Sequence, residues 1–254
     1  MLSAINLSRC NRPLLIGHRG YPARFPENTL AAFEGAIQAG CDMIELDVTL
    51  TKDRRVVVIH DDTLDRTTNG RGLVREHPLA DIKRLDAGSW FDARFSAERV
   101  PELSEVMALA AGRCLVNIEI KAGAFDAHDP ADAVERQVVR LVKTSGSMDR
   151  AIISSFDRRI LERIAAMDAP PPLAYISDRR LDQGALDFVI AIGAFSYHPR
   201  FTCLDREQLQ QLHAAGLKVF AWTINTRKEA EDLRALGVDG LICNELEKMA
   251  TVHD

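Results

Sequence analysis

Leu14-Leu15-Ile16-Gly17-His18, then Glu27-Asn28-Thr29-Leu30-Ala31-Ala32-Phe33 running on to Gly40, then Met43-Ile44-Glu45-Leu46-Asp47-Val48 is the stretch that decides the fold. It opens on an apolar run of strand length and passes through polar cap residues into a helix-period segment that stops at glycine. A second apolar strand follows. Strand, helix, strand is the repeating unit of a parallel sheet, because parallel neighbours need a long crossover. The alternation continues to the end of the chain. Strand-like runs lie at 115–121, 151–155, 173–176, 194–198, 218–222 and 240–243, and helical patterns at 101–111, 131–144, 158–167, 181–190, 205–215 and 226–236. Eight units in 254 residues match the size of a TIM (β/α)8 barrel, whereas a doubly wound sheet usually has fewer strands. The fold class is therefore α/β, a closed barrel, with residues 1–254 expected to form one catalytic domain.

One segment breaks the rhythm. Val56-Val57-Val58-Ile59 follows the second strand too soon for a helical crossover, so it is expected to return antiparallel. From Asp62 to Phe91 turn residues dominate and no long helical pattern appears. Residues of about 50–100 are read as a small insertion after the second strand, packed over the barrel mouth.

Composition excludes several classes. A formal charge of -5 leaves no basic footprint for nucleic acid. No apolar stretch reaches the length of a membrane span, and residues 1–13 carry Asn6, Ser8, Arg9 and Asn11 where a secretory segment would be apolar. The expected location is cytoplasmic, with no stable membrane association. Five cysteines (Cys10, Cys41, Cys114, Cys203, Cys243) are odd in number and far apart, which points to reduced thiols and to neither a disulfide frame nor a zinc site.

Chemistry gathers at the strand ends, where TIM barrels place their sites. In Met43–Val48 the alternation of a strand aims Glu45 and Asp47 at one face and Ile44, Leu46 and Val48 at the other. Two buried carboxylates side by side need a basic partner, a metal, or a proton on one of them. His60-Asp61 comes back beside them, and Asn117-Ile118-Glu119-Ile120-Lys121 repeats the pattern with a third acid and a lysine. Three carboxylates without cysteine suit magnesium, calcium or manganese better than zinc or copper. The bland alternative is a salt-bridged interior in which Arg19 and Lys121 neutralise the acids.

The first strand ends in His18-Arg19-Gly20, a proton-exchanging ring beside a forked cation suited to phosphate or carboxylate. Ser154-Ser155-Phe156 can touch substrate or cap the next helix, and Trp222 can be core or a substrate wall. His198 sits at a strand end beside Pro199; His77, His128, His213 and His253 read as solvated.

Taken in order, His18-Arg19-Gly20, Glu27-Asn28-Thr29, Ile44-Glu45-Leu46-Asp47-Val48, His60-Asp61, Arg66-Thr67-Thr68-Asn69-Gly70, Gly88-Ser89-Trp90-Phe91, Ile118-Glu119-Ile120-Lys121, Ser154-Ser155-Phe156 and Trp222-Thr223-Ile224-Asn225 resemble the glycerophosphodiester phosphodiesterase family. The resemblance runs from about His18 to Gly240 and is closest in form to short cytoplasmic bacterial members. It implies a TIM barrel with its insertion after the second strand, a divalent metal ion (Mg2+ or Ca2+), and hydrolysis of glycerophosphodiesters to sn-glycerol 3-phosphate and an alcohol. It implies Glu45, Asp47 and Glu119 as metal ligands, His18 and His60 as the acid-base pair, and Arg19 and Lys121 on phosphate. Phe156 and Trp222 would select the glycerol side. The first nucleophile, water or the glycerol 2-hydroxyl, is left open. One departure stands at the last strand, where many members have Thr-Asp shortly before proline and this chain has Cys243-Asn244-Glu245. Asn244 keeps the size and hydrogen bonding of aspartate without its charge.

Three rival readings remain. The alternative activity is that of a lysophospholipase D-like phosphodiesterase acting on lysophospholipids, which would need an apolar surface. The insertion offers Leu64, Leu73, Val74, Leu79, Trp90, Phe91 and Phe95, scattered among charges. A barrel that only binds phosphate esters would be expected to lack an acid or a histidine, and all five are present. A metal-dependent enolising enzyme would use Lys121 as its base, but paired histidines with Arg19 suit phosphoryl chemistry better.

Overall fold

The computed structural model describes residues 12–250. Cys10, His253 and most of the 1–13 segment lie outside them.

In chain order the elements are β1 (Leu14–Gly17), α1 (Leu30–Gln38), β2 (Met43–Leu50), β3 (Val56–Val58), α2 (Leu79–Ile82), α3 (Leu103–Ala110), β4 (Leu115–Ile120), α4 (Val134–Thr144), β5 (Ala151–Ser155) and α5 (Arg158–Ala165). β6 (Leu173–Ser177), α6 (Gln183–Ala191), β7 (Ser196–Pro199), α7 (Arg206–Ala214), β8 (Lys218–Ile224), α8 (Arg227–Leu236), β9 (Gly240–Cys243) and α9 (Leu246–Ala250) complete them. β1-β9-β8-β7-β6-β5-β4-β2 are hydrogen-bonded in that order, and Ile16 opposite Met43 and Gly17 opposite Ile44 close the ring between β1 and β2. All eight are parallel, which makes the (β/α)8 barrel read from the alternation. β3 pairs antiparallel with β2, Val48 facing Val58, as its short connection requires.

Local chemistry sets the helix ends. Thr29 accepts the Ala32 N–H at the start of α1, while Glu27 and Asn28, two of the polar cap residues read from the sequence, precede the helix and turn elsewhere. Asp205 with Gln208 and Thr226 with Glu229 form reciprocal caps at α7 and α8. α8 stops at Gly237, whose φ of 104° is left-handed. α9 is missing from the sequence reading because its five residues span little more than one turn of periodicity.

Strand alternation produces two cores. Ile44, Leu46 and Val48 on β2 and Ile118 and Ile120 on β4 face outward and pack with Phe33, Leu103, Val138, Ile160 and Leu212 from the helices. Each such fully buried side chain contributes roughly 1.5–3 kcal/mol. Leu14, Ile16, Met43, Ile152, Ala174, Phe220 and Ile242 fill the barrel interior. One pleat further toward the strand C-termini the inward positions turn polar: Glu45, Asn117, Ser154 and His198 are all buried.

The segment between β2 and α3 has a small core of its own, built from Val57, Ile59, Leu64, Val74, Ile82, Ala87 and Val100. Leu64 and Val74, named above among the residues of an apolar surface, are spent inside it. Trp90 is exposed and meets Phe91 edge to face, centroids 5.8 Å apart. Among the described residues no helix is long and apolar enough to cross a membrane.

Candidate active site

At the C-terminal mouth of the barrel a cavity of about 270 Å³ is lined by His18, Arg19, Glu45, His60, Glu119, Lys121, Phe156 and Trp222, together with Asn117, Ile176, His198, Thr223 and Ile242. Eight of the nine residues singled out from the sequence thus share one wall. The ninth, Asp47, is 1% exposed and sits behind the lining, where it holds the cations that face the cavity.

The three acids converge as the alternation requires. Asp47 lies opposite Glu119 in the β2–β4 register, and one ligand oxygen from each of Glu45, Asp47 and Glu119 lies within 4.8 Å of the other two. Lys121 Nζ donates to Glu119 at 2.9 Å and to Asp47 at 3.3 Å. The Arg19 guanidinium lies 3.4 Å from Asp47 and donates to Glu27 at 2.8 Å, while the Arg19 backbone N–H donates to Glu45 at 2.8 Å. Asn28 Nδ2 donates to Asp47 at 2.9 Å.

The salt-bridged interior considered for the sequence is therefore real, but it does not balance. Arg66 extends the network by bridging Glu27 and Asp61, which brings five carboxylates (Glu27, Glu45, Asp47, Asp61, Glu119) against three cations (Arg19, Arg66, Lys121). Two negative charges are left over. Glu45 makes no ion pair with a side chain among the described residues; its oxygen meets a backbone N–H. Burial, then the Asp47 and Glu119 charges, push the Glu45 carboxyl well above the usual carboxylate range. Burial and Asp47 raise Glu119 to about 7. For Asp47 burial acts upward too, but Lys121, Arg19, His60 and the Asn28 bond outweigh it and bring it down to about 2. A hard divalent cation fits this set: three converging oxygens, a net deficit of two positive charges, and two carboxyls, Glu45 and Glu119, raised toward the protonated form without it.

The two histidines are held differently. His18 Nδ1 is 2.7 Å from Asn244 Oδ1, and burial together with the Arg19 charge lowers the ring to about 4. His60 Nδ1 is 2.6 Å from Asp61 Oδ1, and Asp61 is clamped by Arg66 through two bonds of 2.7 and 2.9 Å. The turn that presents His18 depends on Gly20, whose φ is +89° and whose Cβ, were there one, would lie 2.6 Å from the Ala32 carbonyl carbon.

Trp222 donates its indole N–H to the His198 carbonyl at 2.8 Å and meets Phe156 edge to face, centroids 5.7 Å apart, making an aromatic wall. His198 reaches the cavity, stacks on Phe220 and contacts Ser196 at 2.9 Å; burial lowers it to about 3. Ser155 donates to the Ile120 carbonyl and accepts the Asp157 N–H, but Asp157 is the cap of α5. His213 is exposed, as read from the sequence, and pairs with Asp239 at 2.8 Å. Cys41, Cys114, Cys203 and Cys243 are free thiols.

Sequence reading missed the roles of Glu27, Asn28 and Arg66. Glu27 and Asn28 looked like helix-cap residues, and Arg66 stood in a turn-rich stretch; no periodicity marks a residue that reaches a site from a loop. All three were quoted within the family motifs, which was the only signal for them.

Residues 18–248 match a family model described as "Glycerophosphoryl diester phosphodiesterase family". A glycerophosphodiester phosphodiesterase of Caldanaerobacter subterraneus subsp. tengcongensis is 38% identical over 239 residues, covering 94% of this chain and 96% of that protein. One of Bacillus altitudinis is 32% identical over 244 residues, covering 94% and 98%. A solved Oleispira antarctica phosphodiesterase, in complex with the product sn-glycerol-3-phosphate, superimposes with a TM-score of 0.86 at 30% identity, covering 94% of this chain and 96% of that one.

Proposed function

Because the chain belongs to the glycerophosphoryl diester phosphodiesterase family, we propose that it is a metal-dependent hydrolase that cleaves glycerophosphodiesters to sn-glycerol 3-phosphate and an alcohol. The observation that carries the reading is one cavity onto which Glu45, Glu119, two cations and two separately anchored histidines face, with Asp47 directly behind to complete an unbalanced carboxylate triad. Residues 1–254 are read as one catalytic domain, with the segment at about 50–100 as an insertion.

Glu45, Asp47 and Glu119 would hold the divalent ion, Mg2+ or Ca2+, which when bound supplies positive charge to the phosphodiester oxygens. Arg19 and Lys121 add fixed positive charge on the same side; each is tethered by two carboxylates and so arrives pre-positioned. His18 and His60 exchange protons with the nucleophile and the departing alcohol oxygen. Their differing Nδ1 partners, an amide and a carboxylate, keep both rings in fixed orientations. Phe156 and Trp222 form the apolar side against which the glycerol carbons pack and from which water is displaced. The alcohol group leaves toward solvent, and Leu64 and Val74 of the 50–100 segment are buried in its own core, which favours soluble head groups over lysophospholipids.

The test is a coupled assay for glycerol 3-phosphate release from several glycerophosphodiesters, with lysophosphatidylcholine alongside. Activity is expected to vanish in chelator and return with magnesium or calcium. Undiminished hydrolysis after exhaustive chelation would leave the triad as a salt-bridged core.

A further inference from the structure

We propose that a two-amide ladder, Thr223 carbonyl–Asn225–Asn244, fixes the tautomer of His18 and leaves its Nε2 as the ring atom that can accept a proton. This deepens the phosphodiesterase reading and rests on it for the effect on turnover, though the tautomer itself does not.

An asparagine amide presents an acceptor on one side and donors on the other, so its orientation is decided by whichever end is anchored. The Thr223 carbonyl can only accept, and Asn225 Nδ2 lies 3.3 Å from it. That leaves Asn225 Oδ1 facing Asn244, whose Nδ2 donates to it at 2.8 Å. Asn244 Oδ1 is then turned to His18 Nδ1 at 2.7 Å. An oxygen there accepts, so Nδ1 carries the hydrogen and Nε2 of the neutral ring carries the lone pair. Rotating both amides together would set two oxygens against each other at the Thr223 end, so the ladder has one favourable direction. No hydrogen bond to His18 Nε2 exists among the described residues.

With that tautomer His18 Nε2 is the atom that can exchange a proton with a reacting oxygen. A carboxylate at this place would accept whichever way it turned, whereas the amide of Asn244 has to be held in one orientation. Asn225 is the residue that holds it. Asn244 and Asn225 are positioning residues; neither lines the cavity of about 270 Å³, and both line an adjoining one on the other side of His18 and Arg19.

The test combines a spectroscopic readout with a variant cycle on the full chain. In 15N-labelled protein above neutral pH, long-range 1H–15N correlation is expected to show His18 protonated at Nδ1 and bare at Nε2. Asn225→Leu is expected to give a mixture of tautomers and to lower kcat about 10-fold with little change in KM, the low end of what a misplaced acid-base group costs. The same substitution in the N244D background is expected to leave the tautomer and kcat within about 2-fold of N244D alone, because the cycle isolates the coupling between the two sites. An Nε2–H tautomer in the unaltered protein, or an equal loss from Asn225→Leu in both backgrounds, overturns the ladder. If the phosphodiesterase assay fails while the Nδ1–H tautomer is seen, the activity reading falls and the ladder stands.

Discussion

Binding of a divalent ion should release protons, in a number that depends on pH in a way the triad dictates. Glu119 is raised to about 7, so in the metal-free protein roughly 0.9 of it is protonated at pH 6 and roughly 0.1 at pH 8. Glu45, pushed up by burial and its two acidic neighbours, adds to the count, while Asp47, at about 2, adds nothing. A ligand carboxylate must be ionised to bind, so calcium or magnesium has to displace these protons. From Glu119 about 0.9 of a proton should leave at pH 6, with a further part from Glu45. From Glu119 alone the affinity should rise about 10-fold between pH 6 and pH 8. The sign is consistent with stability: a carboxyl raised above its unfolded value stabilises fully below about 4.5, and that contribution is lost as pH rises through about 7 unless a cation replaces the proton. Calorimetric titration of chelator-treated protein in two buffers of different ionisation heat reads the proton count directly. The same affinity and no proton release at pH 6 and pH 8 would refute the electrostatic picture of the triad.

His18→Ala and His60→Ala should each lower turnover by about two to four orders of magnitude, measured as kcat at saturating substrate; near-normal activity in either would remove that ring from the mechanism. Trp222→Ala takes away the wall that meets Phe156 and is expected to raise KM about 10-fold, worth about 1.4 kcal/mol, with a smaller change in kcat. An unchanged KM would place the ring outside the substrate's path. Gly20→Ala forces a side chain into a left-handed backbone against the Ala32 carbonyl and should cost about 1–3 kcal/mol, seen as a fall of several degrees in thermal midpoint. A midpoint within a degree of the parent would show that the turn relaxes freely.

Much of the site was legible because strand periodicity is rigid. Glu45 and Asp47 two apart, and Glu119 and Lys121 two apart on the neighbouring strand, had to share faces, and the β2–β4 register sets Asp47 opposite Glu119. His18, His60, Phe156 and Trp222 could be placed at strand ends by counting units. Glu27, Asn28 and Arg66 could not, since loops carry no period and Arg66 reaches Glu27 across 39 residues of sequence. Nor could the cap at α5 be assigned, where Asp157 took the place that Ser155 was weighed for.

The order of apolar and polar residues along the chain determined by itself that this protein is a barrel of eight strand–helix units with acids pointing inward, because alternation and crossover geometry allow little else. What only the tertiary structure decided is the balance of charge. Which cation pairs with which acid, that two negative charges remain uncompensated, and that one histidine leans on an amide and the other on a carboxylate all depend on distances between residues from different strands and loops. Coulomb energy in a buried cluster is set by those distances, and no local pattern encodes them.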